Sequence, residues 1–187
     1  MKTFKVLLVK RGEELFEAAN FFCKLKYWDD GILDYGKEFL GLPNKYIIAI
    51  QGHKIVGTMG MEEKKVPIIL KSFNPLNKKG VEVMRYSLDT KGCVNNKREI
   101  ISITKLLFKK MIIYFGDKID DYFIFLQTYR GVVSIFTRAS GIAKLPCYTK
   151  IKVASMPNRS KNFLKKNEVE YYFFNTKEIV KNYFSKK

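Results

Sequence analysis

The sequence predicts an α/β (α+β) fold: one twisted, mixed but mostly antiparallel sheet of six or seven strands with helices on both faces. Three stretches predict it. Tyr46–Ile50 and Lys54–Met61 are apolar runs joined by the turn Gln51-Gly52-His53, the pattern of a β-hairpin. Gly80–Phe115 reads as strand, polar loop, helix. Tyr122–Val153 reads as buried strand, helix, strand. The hairpin requires antiparallel pairing, and the later strand-helix-strand steps favour parallel pairing.

Taken in order, Thr3–Val9 is the first strand. Glu13–Leu25 is a helix, because Leu15, Phe16, Ala19, Phe22 and Cys23 recur at helical spacing and two acids open it where the dipole favours them. Tyr27–Gly41 holds the only tryptophan and three aspartates and reads as a short helix or folded loop. Glu62–Gly80 is a connection with two prolines and an apolar patch at Val66–Leu70.

In the central stretch, Val81, Val83, Tyr86 and Leu88 alternate with Glu82, Arg85 and Asp89, so the strand carries two opposite charges. Regular alternation puts Glu82 and Arg85 on opposite faces unless a bulge intervenes. The polar loop Thr90–Lys97 leads into an apolar helix closed by Gly116. Tyr122–Gln127 is the next strand and Gly131–Ser140 the next helix, stopped by Gly141. Tyr148–Val153 is a strand, Pro157–Asn167 a polar loop, Val169–Phe174 the last strand, and Lys177–Tyr183 a basic tail helix.

A length of 187 residues suits one domain. No apolar run approaches the length that spans a bilayer, and Met1–Lys10 is too interrupted for a signal peptide, so a cytoplasmic protein is expected. Cys23, Cys93 and Cys147 are widely spaced and match no zinc or redox pattern. No metal site is expected. His53 is a polar turn residue.

The net charge of +17 selects partners. A basic protein attracts nucleic acid, phosphorylated cofactors, anionic lipid or an acidic carrier protein. The charge is uneven: residues 144–187 carry eleven Lys/Arg against three Asp/Glu, whereas residues 11–40 are acidic.

Three stretches resemble the GNAT acyltransferases, and within them the autoinducer (acyl-homoserine-lactone) synthase and N-acyl amino acid synthase branch. Tyr46–Gly60 is similar to the hairpin ending in a Val-Gly-Thr strand. Glu82-Val-Met-Arg85-Tyr86 is similar to the branch's Glu-x-x-Arg-Phe on the fourth strand. Thr128-Tyr-Arg130 with Ile135–Gly141 resembles the helix ending in Arg-Ala-Gly. The resemblance covers about residues 1–153, with 154–187 as a basic extension of the same domain. The loop Lys91–Arg98 departs from it: it has one glycine and lacks the pyrophosphate pattern Arg/Gln-x-x-Gly-x-Gly/Ala. Thr137 stands where many acetyltransferases carry a tyrosine acid.

The resemblance implies transfer of an acyl group from a thioester, on acyl-CoA or acyl carrier protein, to the amine of a small acceptor such as an amino acid or S-adenosylmethionine. No tightly bound cofactor is expected; the thioester is the donor. Glu82 and Arg85 are the catalytic candidates. Glu82 would take the amine's proton, directly or through a water, and its pKa is expected to rise if it faces the cleft beside apolar residues. Tyr86, Ser87 and Leu88 would pair with the donor's pantetheine arm. Lys91, Asn95, Asn96, Lys97 and Arg98 would meet its phosphates at the helix N-terminus. Trp28, Asp34, Thr128 and Arg130 are substrate-binding candidates. Phe123, Phe125, Val132, Val133, Phe136 and Ile103 could flank an acyl chain or simply form core. Two other functions compete. One is noncatalytic nucleic-acid binding, with Tyr171, Tyr172, Phe173 and Phe174 as stacking groups. The other is a GNAT-like protein that binds a ligand without turnover.

Overall fold

The computed structural model describes residues 3–39, 41–92, 96–140, 147–149, 160–174, 176–177 and 180–181. Its elements run β1 (Lys5–Lys10), α1 (Glu14–Asp29), β2 (Lys45–Gln51), β3 (Lys54–Lys64), a 3-10 turn (Ile68–Phe73), β4 (Lys79–Leu88), α2 (Lys97–Phe115), a second 3-10 turn (Gly116–Asp121), β5 (Tyr122–Tyr129), α3 (Arg130–Ser140), β6 (Cys147–Thr149), α4 (Lys161–Lys166) and β7 (Val169–Phe173).

Among the described residues the strands form one seven-stranded sheet in the order β1-β2-β3-β4-β5-β7-β6. Every neighbouring pair is antiparallel except β4 and β5. The first strand-helix-strand step, β4-α2-β5, gives the expected parallel pair. The second does not place β6 beside β5, because β7 lies between them and pairs with both. Residues 161–166, expected as loop, form the short helix α4. The stop at Gly141 and most of Tyr148–Val153 lie outside the described residues. In the expected tail helix, the described residues from 176 to 181 are helical.

The larger core lies between one face of the sheet and helices α2 and α3. Ile47, Val83, Ile103, Leu107, Phe108, Ile124, Leu126 and Phe136 meet there. α1 covers the other face, where Phe16 and Ala19 pack on Tyr46 and Ile48. A third cluster, Val66, Leu70, Phe123 and Phe125, seals that face farther along. Phe123 and Phe125 therefore face away from α2 and α3. α2 opens with Asn96, whose side-chain oxygen accepts from the Glu99 N–H at 3.0 Å. It closes at Gly116, whose φ of 51° suits glycine.

Glu82 sits on the face of Phe125 and is buried with a relative exposure of 9%. Its carboxylate pairs with Lys64, which also meets Glu62 at 3.5 Å. Burial opposes the charge on Lys64, but the hydrogen bonds and charges of Glu82 and Glu62 together outweigh it and raise the lysine's pKa. Tyr171 borders this cluster, and its phenol is pushed up by burial and by the Glu82 charge. Lys64→Met is expected to cost about 1–2 kcal/mol, less than a fully buried pair because the lysine is partly solvated. A raised lysine pKa contributes stability that is complete below the unfolded value near 10.5 and is lost as pH rises through the folded value. Urea melts at neutral and strongly alkaline pH should therefore separate wild type and variant at the first and bring them together at the second.

Candidate active site

β4 and β5 pair only from Lys79↔Tyr122 to Val83↔Leu126. Beyond that they diverge. β5 continues against β7, with Thr128 opposite Glu170. β4 continues against β3. Among the described residues, the β5-facing edge of β4 has no strand partner after Val83, and a cleft of about 160 Å3 opens in the wedge. Met84–Leu88 form one wall, and Gln127–Tyr129 face them. Tyr27, Asp30 and Ile32 close the α1 side, while Ile100, Val132, Ile135 and Phe136 close the α2–α3 side.

A bulge shapes the β4 wall. Thr58 pairs with Ser87 but Gly60 pairs with Met84, so two residues of β4 oppose Met59 alone. Arg85 takes a φ of 53°, a left-handed conformation that costs a non-glycine residue about 1–2 kcal/mol. Its surroundings hold it there. The Arg85 carbonyl accepts from the Thr58 hydroxyl at 3.1 Å, and the Cys23 thiol lies 3.4 Å away. The guanidinium donates to the Gly41 carbonyl at 2.8 Å and lies 3.4 Å over the Phe39 ring. The extra residue returns Tyr86 to the face of Val81 and Val83. Glu82 and Arg85 thereby come to one face, yet Glu82 is bound to Lys64 and Arg85 reaches the loop after α1.

Tyr86 and Phe136 form the floor. The Thr104 hydroxyl has one proton, which goes to the Ile100 carbonyl at 2.7 Å, so the Tyr86 hydroxyl donates to Thr104 at 2.6 Å. Burial pushes the Tyr86 phenol well up, which keeps it protonated. Its ring meets Phe136 edge-on at 4.7 Å, and Phe136 meets Phe108 at 5.0 Å. Ser87 is buried, with its hydroxyl 3.2 Å from the Cys23 sulfur.

The structure brings together Arg85, Tyr86, Ser87, Leu88 and Thr128 on the cleft walls. Glu82 is one residue short of the wedge and does not line it. Lys91, Asn96, Lys97 and Arg98 are exposed around the entry to α2, outside the lining, and Asn96 is occupied in capping. Asn95 lies outside the described residues. Arg130 begins α3 and nothing is described of its side chain. Trp28 donates to the Lys37 carbonyl at 3.1 Å and packs on Tyr35 at 4.9 Å. Asp34 is exposed in a turn. Neither Trp28 nor Asp34 lines the cleft. Of the apolar candidates, Val132 and Phe136 line it. Ile103 belongs to the core.

Sequence reasoning passed over Tyr27 and Asp30 as site residues. α1 runs four residues beyond Leu25, so the buried stripe Phe16, Ala19, Cys23 continues to Tyr27 and one more turn delivers Asp30 to the cleft. The helical spacing from Phe16 to Tyr27 was the available signal. Desolvation raises the pKa of Asp30 more than nearby Lys26 and Lys91 lower it. Among the described residues no group of His, Cys, Asp or Glu could hold a metal, and no helix is long and apolar enough to cross a membrane.

No protein-family model matches the sequence, and comparison with curated proteins returns no match. Solved structures do match. The AHL synthase LasI superposes with a TM-score of 0.62 at 12% identity, covering 99% of this chain and 96% of that one. FeeM, an N-acyl amino acid synthase from uncultured soil microbes, superposes with a TM-score of 0.58 at 13% identity, covering 98% and 97%. Arabidopsis thaliana NAA60 in complex with acetyl-CoA gives 0.56 at 12% identity, covering 92% and 98%. These likenesses span nearly the whole of each chain and show that this chain has the GNAT fold, similar to that of the AHL synthase LasI and the N-acyl amino acid synthase FeeM.

Proposed function

We propose that the protein is an acyltransferase that moves an acyl group from a thioester to the amine of a small acceptor. One observation carries the reading: β4 parts from β5 after Val83 and leaves a strand edge facing a cleft with Arg85, Thr128 and Asp30 on its walls. A pantetheine arm is an extended chain with amides, and the open edge of Tyr86–Leu88 can pair with it as an added strand. The donor's phosphates would then reach the N-terminal turn of α2, where Lys91, Lys97 and Arg98 are exposed and the helix dipole favours anions. Acyl-CoA and acyl carrier protein both present that arm.

In the reaction the amine nitrogen attacks the thioester carbon, the amine proton passes to a base, and the carbon–sulfur bond breaks to release a thiolate. Backbone N–H groups on the open edge can polarise the carbonyl. Two carboxylates are candidates for the base. Asp30 is on the cleft wall, partly exposed to solvent, and desolvation raises its pKa above the usual carboxylate value. Glu82 lies below the wedge and would act through water after release from Lys64. An amino acid or S-adenosylmethionine as acceptor fits the likeness to the two synthases.

The nucleic-acid reading has less support. Tyr172 and Phe174 are buried, and Phe173 packs against Phe73 and Phe123, so these aromatics serve the core and do not form a stacking platform. Ligand binding without turnover is separated by assay.

Thermal melts with acetyl-CoA, a long-chain acyl-CoA and a DNA duplex test the donor. Selective stabilisation by a thioester that grows with its concentration is expected. Equal shifts by all three would leave only charge at work and overturn binding at the cleft. Once an acceptor is found, Asp30→Asn is expected to lower kcat by about 100-fold, as loss of a general base does, with the donor-induced shift unchanged. If Glu82→Gln shows that loss while Asp30→Asn does not, the base is Glu82.

A further inference from the structure

We propose that the segment from Lys65 to Lys79 docks the protein onto the surface of an anionic lipid bilayer. The segment links β3 to β4 and lies at the start of β4, whereas the cleft opens at that strand's far end. It holds four lysines, Lys65, Lys71, Lys78 and Lys79, and no acidic residue. It also exposes three large aliphatic side chains: Ile68 at 84%, Leu76 at 69% and Ile69 at 46%. Isolated exposed apolar residues are ordinary, but three within nine positions of a segment that carries four lysines and no acid are not.

The segment is built to hold that face outward. Val66 and Leu70 are buried against Phe123 and Phe125, and Phe73 stacks on Phe173. These anchors turn Ile68 and Ile69 to solvent. The buried Asn74 side chain donates to the Lys78 carbonyl at 2.9 Å and accepts from the Lys78 N–H at 3.0 Å, which fixes the loop that carries Leu76. The two arms meet in one open pocket lined by Lys65, Lys71, Lys78 and Lys79. Its one acid, Glu63, is engaged by Lys45 at 3.3 Å and by the Tyr122 hydroxyl.

The chemistry favours a lipid surface over other anions. Unpaired nucleic acid is held by stacking its bases on exposed aromatic rings, and the segment packs its one aromatic inward. A small anion needs fixed donors, but these lysines are flexible and Asn74 is already occupied. Aliphatic side chains among lysines match a bilayer, which takes the aliphatics into the acyl boundary while its headgroups meet the ammonium groups. Two such signals together give stable attachment where one gives marginal attachment. This inference does not rest on the acyltransferase reading.

The full chain is sedimented with vesicles of phosphatidylcholine alone or with about one third phosphatidylglycerol. Binding to the anionic vesicles that weakens with salt is expected, with far less binding to the neutral ones. Ile68→Ser with Leu76→Ser leaves the net charge unchanged and is expected to weaken binding by about tenfold or more. Lys71→Glu with Lys78→Glu is expected to abolish it. Lys105→Glu with Lys109→Glu, the same charge change on the exposed face of α2, is expected to leave most of it. All substituted side chains except that of Lys78 are exposed, and melting curves check that each variant is folded. Failure to sediment with anionic vesicles overturns the proposal. So does equal loss in the α2 variant, which would reduce the binding to net charge, or full binding by the serine variant.

Discussion

Phe136→Ala is expected to destabilise the protein by about 3–5 kcal/mol, the usual cost of removing a fully buried phenylalanine. Among the described residues Phe136 makes three ring contacts, edge-on to Tyr86 and Phe108 and stacked on Phe174 at 6.1 Å. Those rings come from β4, α2 and the segment after β7, so little can collapse into the void without moving several elements. Such a loss is a large fraction of the 5–15 kcal/mol that holds a typical domain together. Denaturant titration checks it directly. The same position tests the cleft, because Phe136 is part of its floor. In a folded Phe136→Leu variant, which leaves a smaller void, acyl-CoA donors with longer chains should gain affinity relative to acetyl-CoA. An unchanged chain-length preference would place the acyl chain elsewhere.

Gly80→Ala is expected to cost about 3 kcal/mol or more, at the upper end of overpacking, because the clash is with backbone. A Cβ on Gly80 would fall 2.3 Å from the Lys64 carbonyl oxygen and 3.0 Å from the Val66 nitrogen. Neither can swing aside. Relief requires β3 to separate from β4 where Lys64 pairs with Gly80, which also draws Lys64 from Glu82. Gly57→Ala provides the contrast. Its Cβ would lie 2.7 Å from Leu88 Cδ2 and 3.2 Å from Ile103 Cγ2, the ends of movable side chains. Its cost should be smaller, about 1–2 kcal/mol. Thermal melts of the pair should show the midpoint falling by about 6–12 °C for Gly80→Ala, at about 2–4 °C per kcal/mol for a chain of this size. Equal shifts would mean that β3 yields as readily as a leucine side chain does.

Local pattern was enough to determine the strands and helices up to α3, because each announces itself within a dozen residues. The β2–β3 hairpin has its turn between two apolar runs. α2 has apolar residues at helical spacing and Gly116 after them. Glu82 and Arg85 were legible as charges on the central strand, and the likeness to the acyltransferases was legible in three short stretches. What the chain could not show is distance between elements. β7 enters between β5 and β6, and nothing near Val169 in sequence names its neighbours. The bulge at Arg85 rests on Thr58 and Cys23, which are 27 and 62 residues away, so alternation alone could not decide the side on which Arg85 falls. Asp30 reaches the cleft only because α1 runs on past Leu25 and lies across β4. Lys64 reaches Glu82 because β3 continues to the edge of the connection. Sequence determines which groups a strand or helix carries, since periodicity is local; tertiary packing decides which of them share a cavity, since burial and charge pairing are settled between elements distant in the chain.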